Sequence, residues 1–146
     1  MLPTTFSSDG LGPFAKFLGL ELETVTPDEI VAHWAVRADL LQPYGILHGG
    51  AHCAVVESLA STGAAVWLGE RGKVVGATNT TDFYRPTTDG TRLRSVATPV
   101  HRGRSQQVWV VETRDEDGKL VARGQVRLQN LVSGSDVPGH GGSRSG

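Results

Sequence analysis

From residue 40 to residue 69 the chain carries one permanently charged side chain, Glu57, set in the small and apolar run "HGGAHCAVVESLASTGAAVWL". The run opens on Gly49 and Gly50 and closes on Gly69 and the polar turn "GERGK", which predicts a helix over about 49 to 69. One helix therefore dominates, and the rest of the chain must be arranged around it.

The flanking segments read as strands. Leu20, Leu22 and Val25 precede a Pro27-Asp28 turn, and Ile30, Ala32, Trp34 and Val36 alternate after it, which predicts a β-hairpin. A short helix begins near Pro13 and ends near Gly19. After the central helix come four strand-like runs at 74 to 84, 92 to 101, 107 to 115 and 120 to 131, the last two joined by the hairpin signal Asp117-Gly118. Period-2 geometry puts Val108, Val110 and Glu112 on one face of their strand and Trp109 and Val111 on the other. Two strands, one long helix and four strands joined by short turns predict an α+β domain in which an antiparallel β-sheet wraps one long central helix.

A length of 146 residues suits one domain. The expected division is an N-terminal extension at 1 to 13, the folded domain at 14 to 132, and a disordered tail at 133 to 146, where Gly, Ser and Pro leave too little apolar surface to offset ordering entropy. With 14 basic against 15 acidic side chains, nucleic acid is disfavoured as a partner. No run reaches the roughly 18 to 20 apolar residues needed to cross a bilayer, so no membrane partner is expected. A single cysteine, Cys53, and an N-terminus without a signal-peptide pattern point to a cytoplasmic protein.

At 100° per residue Glu57 shares a helix face with Gly50, Cys53, Ala54, Ala60, Ser61 and Ala64, and Val55, Leu59 and Val66 lie opposite, with Val56 and Trp67 at the edges. The apolar side is expected against the sheet, and the small side against a ligand or a second chain. A solvated glutamate or an internal ion pair would also account for Glu57. The absence of any other charge on its face argues against the first, because exposed helix faces usually carry several. Gly49 and Gly50 leave the first N–H groups of the helix unobstructed at the positive end of its dipole, suited to an oxygen that becomes negative; a tight turn alone would also use them. Glu57 lies about 12 Å further along the axis at 1.5 Å per residue, too far to serve the same atom within one chain. Antiparallel packing of two such helices would resolve that distance.

The stretch "QPYGILHGGAHCAVVESLAS", supported by "DFYRP" at 82 to 86 and "HRGRSQQVW" at 101 to 109, resembles the hotdog-fold acyl-CoA thioesterases, in particular the phenylacetate-degradation (PaaI-like) and 4-hydroxybenzoyl-CoA thioesterase branch, over about 14 to 131. The resemblance implies a hotdog fold and a homo-oligomer, a dimer or a dimer of dimers, with active sites shared between subunits. It implies hydrolysis of an aryl- or medium-chain acyl-CoA to free acid and CoA without a cofactor. Carried over by position, the catalytic carboxylate is Glu57, the helix-start donor Gly49, the carbonyl-polarising amide Gln42, the histidine before the glycines His48, and the hydroxyl near the attacking water Ser61. For the CoA half it points to Arg85, Arg102, Arg104 and Ser105; Tyr44 and the small helix face near Ala54, Ala60 and Ala64 are candidates to line the acyl pocket. Guanidinium groups suit phosphate through their forked donors.

His48 and His52, four apart, match the spacing of a zinc pair but lack an obvious third ligand, so no metal is expected. Cys53 reads as a packing residue. An acyl-CoA-binding module without turnover, or an acyl-thioester hydratase or dehydratase, would share the fold; a binder needs no carboxylate at the carbonyl, and the dehydratase signature is absent.

Overall fold

The computed structural model describes residues 8–132. The expected tail at 133 to 146 and residues 1 to 7 of the expected extension lie outside them. A 3₁₀ turn (Ser8–Leu11) leads into α1 (Pro13–Leu18), which has proline in its first turn and a left-handed Gly19 cap. Strands β1 (Glu21–Val25) and β2 (Ile30–Ala35) form the hairpin, and a second 3₁₀ turn (Ala38–Leu40) follows. The central helix α2 (Gly49–Leu68) comes next, then β3 (Gly72–Phe83), β4 (Arg92–Arg102), β5 (Gln106–Arg114) and β6 (Leu120–Val132). All neighbours pair antiparallel in the order β1-β2-β4-β5-β6-β3, and the sheet curls round α2. This is the hotdog fold. No helix among the described residues is long and apolar enough to cross a membrane.

The core lies between α2 and the concave face of the sheet. Val55, Val56 and Leu59 from the helix meet Ile30, Trp34, Trp109, Val126 and Leu128 from the strands, all at most 1% exposed. Each such aliphatic side chain contributes about 1.5–3 kcal/mol by leaving water. The indoles bring polar groups inside, and each is satisfied. Trp34 Nε1 donates to Ser95 Oγ at 3.0 Å, and Ser95 shares a 2.7 Å bond with the Thr113 hydroxyl. Trp109 Nε1 donates to Gln107 Oε1, whose own amide reaches the Ala64 carbonyl and Asn130 Oδ1.

The rotation of α2 differs from the helical-wheel expectation. Ala60 and Ala64, expected beside Glu57, are fully buried, whereas Val66 and Trp67 are only half-buried. The cause is close approach. A Cβ on Gly63 would sit 2.6 Å from the Trp109 ring, and one on Gly124 would sit 2.6 Å from Val56. Missing side chains let the backbones of helix and sheet approach until alanine suffices to fill the gap. The open face of α2 consists of Gly50, Glu57 and Ala65, with Cys53, Ala54, Ser58 and Ser61 half-buried.

Strand β3 pairs with β6 along one side and has no partner strand on the other among the described residues, and residues 75 to 78 are exposed. A bulge between Gly76 and Thr78 bends it where it passes α2. An unpaired strand edge of this length offers a row of free backbone N–H and C=O groups.

Candidate active site

The loop before α2 is a clipped miniature hairpin. Leu41 bridges Leu47, the Gln42 N–H donates to the Ile46 carbonyl at 2.8 Å, and the Gly45 N–H returns to the Gln42 carbonyl at 3.0 Å. Gly45 has φ 80°, a conformation that favours glycine. The Tyr44 N–H donates to Gln42 Oε1. With its oxygen occupied, the Gln42 side chain presents its NH₂ as the donor still available.

His48 caps α2. Its Nδ1 accepts the Gly50 N–H at 2.7 Å, and its carbonyl accepts the Ala51 N–H at 3.0 Å. The Gly49 N–H between them has no acceptor among the described residues. The Nδ1 bond fixes the tautomer with hydrogen on Nε2. Gln42 and Gly49 line one cleft of about 440 Å³, together with His52, Phe83, Arg85 and Thr87. The Phe83 ring lies so close over Gly49 that a Cβ there would meet it at 2.7 Å, so the absent side chain keeps room at the donor.

Glu57 opens elsewhere. It lines a separate cavity of about 370 Å³ with Ser61, Ser58 and Val74, and its Oε1 lies 3.5 Å from where a Cβ on Gly76 of β3 would be. Glu57 is exposed and makes no ion pair with any described residue. Within one chain, then, donors and carboxylate occupy two clefts on one helix.

The remaining expected site residues are dispersed. Arg85 lines the Gln42 cleft without a side-chain partner among the described residues. Arg104 and Ser105 occupy the β4–β5 turn, where their carbonyls accept from Asn130 near the opposite end of the sheet. Arg102 is engaged within the fold, donating to the Pro27 carbonyl and to Asp28 at 2.7 Å while its guanidinium lies over Trp67. Tyr44 is 90% exposed, and Ala60 and Ala64, considered with it as pocket lining, face the core.

His52 and Thr87 also line the cleft, beyond the residues that the family resemblance points to. His52 is buried edge-on to Trp34 and stacked on Phe83, with centroids 5.8 and 5.9 Å apart. Burial lowers its pKa to about 4, so the imidazole is neutral near pH 7. The signal for His52 was its place one turn after Gly49; Thr87 carried none, because its position depends on how the chain turns after β3.

The thioesterase-superfamily profile matches residues 44–122, from the loop just after Gln42 through α2 to the start of β6. The chain belongs to the thioesterase superfamily. It is 49% identical over 122 residues to Rv1847 of Mycobacterium tuberculosis, covering 82% of this chain and 86% of that protein. To the 1,4-dihydroxy-2-naphthoyl-CoA hydrolase of Escherichia coli it is 35% identical over 111 residues, 76% of this chain and 81% of the other. The crystal structure of AziG from S. sahachiroi superposes with TM-score 0.82 at 64% identity, over 84% of this chain and 98% of that one. This thioesterase-superfamily chain is accordingly a hotdog-fold thioester hydrolase.

Proposed function

We propose that the substrate is an acyl-CoA with an aryl or medium-chain acyl group, hydrolysed to the free acid and CoA at a site completed between two copies of the chain. The observation that carries this is the separation of the unpartnered Gly49 N–H and the Gln42 amide from the exposed Glu57, about 12 Å along one helix. Antiparallel packing of two α2 helices through the Gly50–Glu57 face brings the carboxylate of one copy to the donors of the other. Extension of the sheet across the free edge of β3 would hold that arrangement, because Gly76 of β3 lies against Glu57. The same packing carries Arg104 and Ser105 of the second copy toward the Gly49 end, where Arg85 already stands, as a CoA phosphate contact.

In this site the thioester oxygen accepts from Gly49 N–H and Gln42 NH₂, which tighten as it becomes an oxyanion. Glu57 either takes the proton of the attacking water, beside the Ser61 hydroxyl, or attacks the carbonyl itself. In the first case the C–S bond breaks and the proton held by Glu57 passes to the departing sulfur, giving the free acid and the CoA thiol. In the second CoA leaves as its thiolate, and water then cleaves the acyl–Glu57 anhydride, releasing the acid, restoring the carboxylate and supplying the thiolate's proton. The ring of Phe83 and the apolar Ile46 and Leu47 suit an aryl group, in keeping with the aryl thioester in the name of the Escherichia coli relative. A panel of aryl and aliphatic acyl-CoA substrates read by free-thiol release tests the reading. Turnover is expected with aryl or medium-chain members, and absence of release from all of them would overturn it.

A further inference from the structure

Asn130 of β6 lies beneath the turn that joins β4 to β5 and commits its polar groups to it. Its Nδ2 donates to the Gly103 carbonyl at 3.0 Å and to the Arg104 carbonyl at 3.3 Å, and its backbone N–H donates to the Ser105 carbonyl at 2.8 Å. Its Oδ1 accepts from Gln107 Nε2 at 2.9 Å. One indole sets the orientation of both amides. Trp109 Nε1 can only donate, so Gln107 turns its oxygen to that ring and its NH₂ to Asn130 and to the Ala64 carbonyl of α2. Asn130 must answer with its oxygen, which leaves its NH₂ for the turn. Gln107 and Asn130 are 0% and 5% exposed, so the whole chain of bonds is sheltered from water.

Three successive carbonyls of a surface turn thus point at one buried residue, although water would ordinarily meet them. Because a trans peptide is planar, each N–H points opposite to the carbonyl of its own unit. The N–H groups of Arg104 and Ser105 are therefore aimed away from Asn130, and neither has an acceptor among the described residues. The Arg104 guanidinium is also without a partner among them, and both residues are exposed. We propose that Asn130 is a positioning residue for substrate binding, holding the turn so that the N–H groups of Arg104 and Ser105, the Ser105 hydroxyl and the Arg104 guanidinium form a cradle for a phosphate of CoA. Two backbone donors, a hydroxyl and a guanidinium match a phosphate in charge and in hydrogen-bond sense. Asn130 itself touches no substrate and acts through the direction in which the turn presents its donors.

The inference rests on the CoA-thioester reading of the site, and one comparison separates the two. The acyl group turned over best is supplied as its CoA thioester and as its N-acetylcysteamine thioester, which has the same reacting bond and no phosphate. Both are measured with the full-length protein and its Asn130→Ala variant, with thermal melting to verify the fold. The unmodified protein is expected to favour the CoA thioester in kcat/KM by about 10-fold or more, the scale of one hydrogen bond to a charged group. In Asn130→Ala the KM for the CoA thioester should rise by about that factor with kcat nearly unchanged, while both constants for the N-acetylcysteamine thioester stay as they were. A loss of folded protein would lower both rates alike and cannot produce that split. A CoA preference undiminished in the folded variant overturns the inference alone. Equal kcat/KM for the two thioesters in the unmodified protein, or release from neither, overturns the CoA-thioester reading and the inference with it. Should Asn130→Ala not fold, amide NMR of the unmodified protein titrated with CoA decides: downfield movement of the Arg104 and Ser105 N–H signals is expected, and unmoved signals overturn the cradle.

Discussion

The Nδ1 of His48 accepts the Gly50 N–H at 2.7 Å and so leaves the preceding Gly49 N–H as the first free donor of α2. His48 thus acts on the helix end. His48→Ala should cost about 1 kcal/mol of stability through loss of the cap, and His48→Asn should recover most of it. Urea unfolding of the two variants checks this. Thiol release should fall in His48→Ala as well, because the freed Gly50 N–H then competes for the oxygen that Gly49 would hold.

Glu57→Ala separates chemistry from folding. The carboxylate is exposed and without an ion pair among the described residues, so its removal should change stability by less than about 0.5 kcal/mol. Turnover should fall by about 10³-fold or more, as expected when the group that activates or replaces the attacking water is lost. A large loss of stability together with near-normal turnover would return Glu57 to a structural role.

Gly63→Ala addresses the close approach of helix and sheet. The added methyl group would meet the Trp109 ring at 2.6 Å, and that ring is fully buried and bonded through Nε1 to Gln107. Since the ring has little room to give, about 1–3 kcal/mol of destabilisation is expected by denaturant titration. The corresponding contact at Gly49 is with Phe83, a half-exposed ring at the cleft mouth, so Gly49→Ala should fold nearly normally and show its cost in kcat.

Burial holds the His52 pKa at about 4, below its ordinary 6.5, so the unfolded chain binds a proton that the folded one refuses. Stability from this residue is complete above pH 6.5 and is lost as pH falls toward 4, by about 2–3 kcal/mol between pH 7 and 4.5. Urea midpoints across that interval should fall less steeply in His52→Gln than in the unsubstituted chain.

These residues also show what the sequence made legible. The glycine-bounded run at 49 to 69 and the alternation at 30 to 36 each had one structural solution, so the extent of α2 and the hairpin could be read directly. The roll of α2 could not. Alanine and glycine are equally at home on an open face and in a tight contact, and only the partner across the gap, Trp109 for Gly63 or Val56 for Gly124, decides which. The cleft was half legible for a similar reason. Gln42, His48 and Gly49 are fixed by one local turn and cap, whereas Thr87 reaches them only after β3 has crossed the sheet.

The placement of Gly49 and Glu57 on one rigid rod, too far apart to share an atom, has a genetic consequence under the two-copy site. Each defect then belongs to only one half of any site. A copy disabled by Glu57→Ala still supplies intact donors, and a copy disabled by Gln42→Ala still supplies an intact carboxylate. Mixed after unfolding and reassembly, two inert preparations would complement each other, with roughly a quarter of the sites restored when a two-fold pair forms at random.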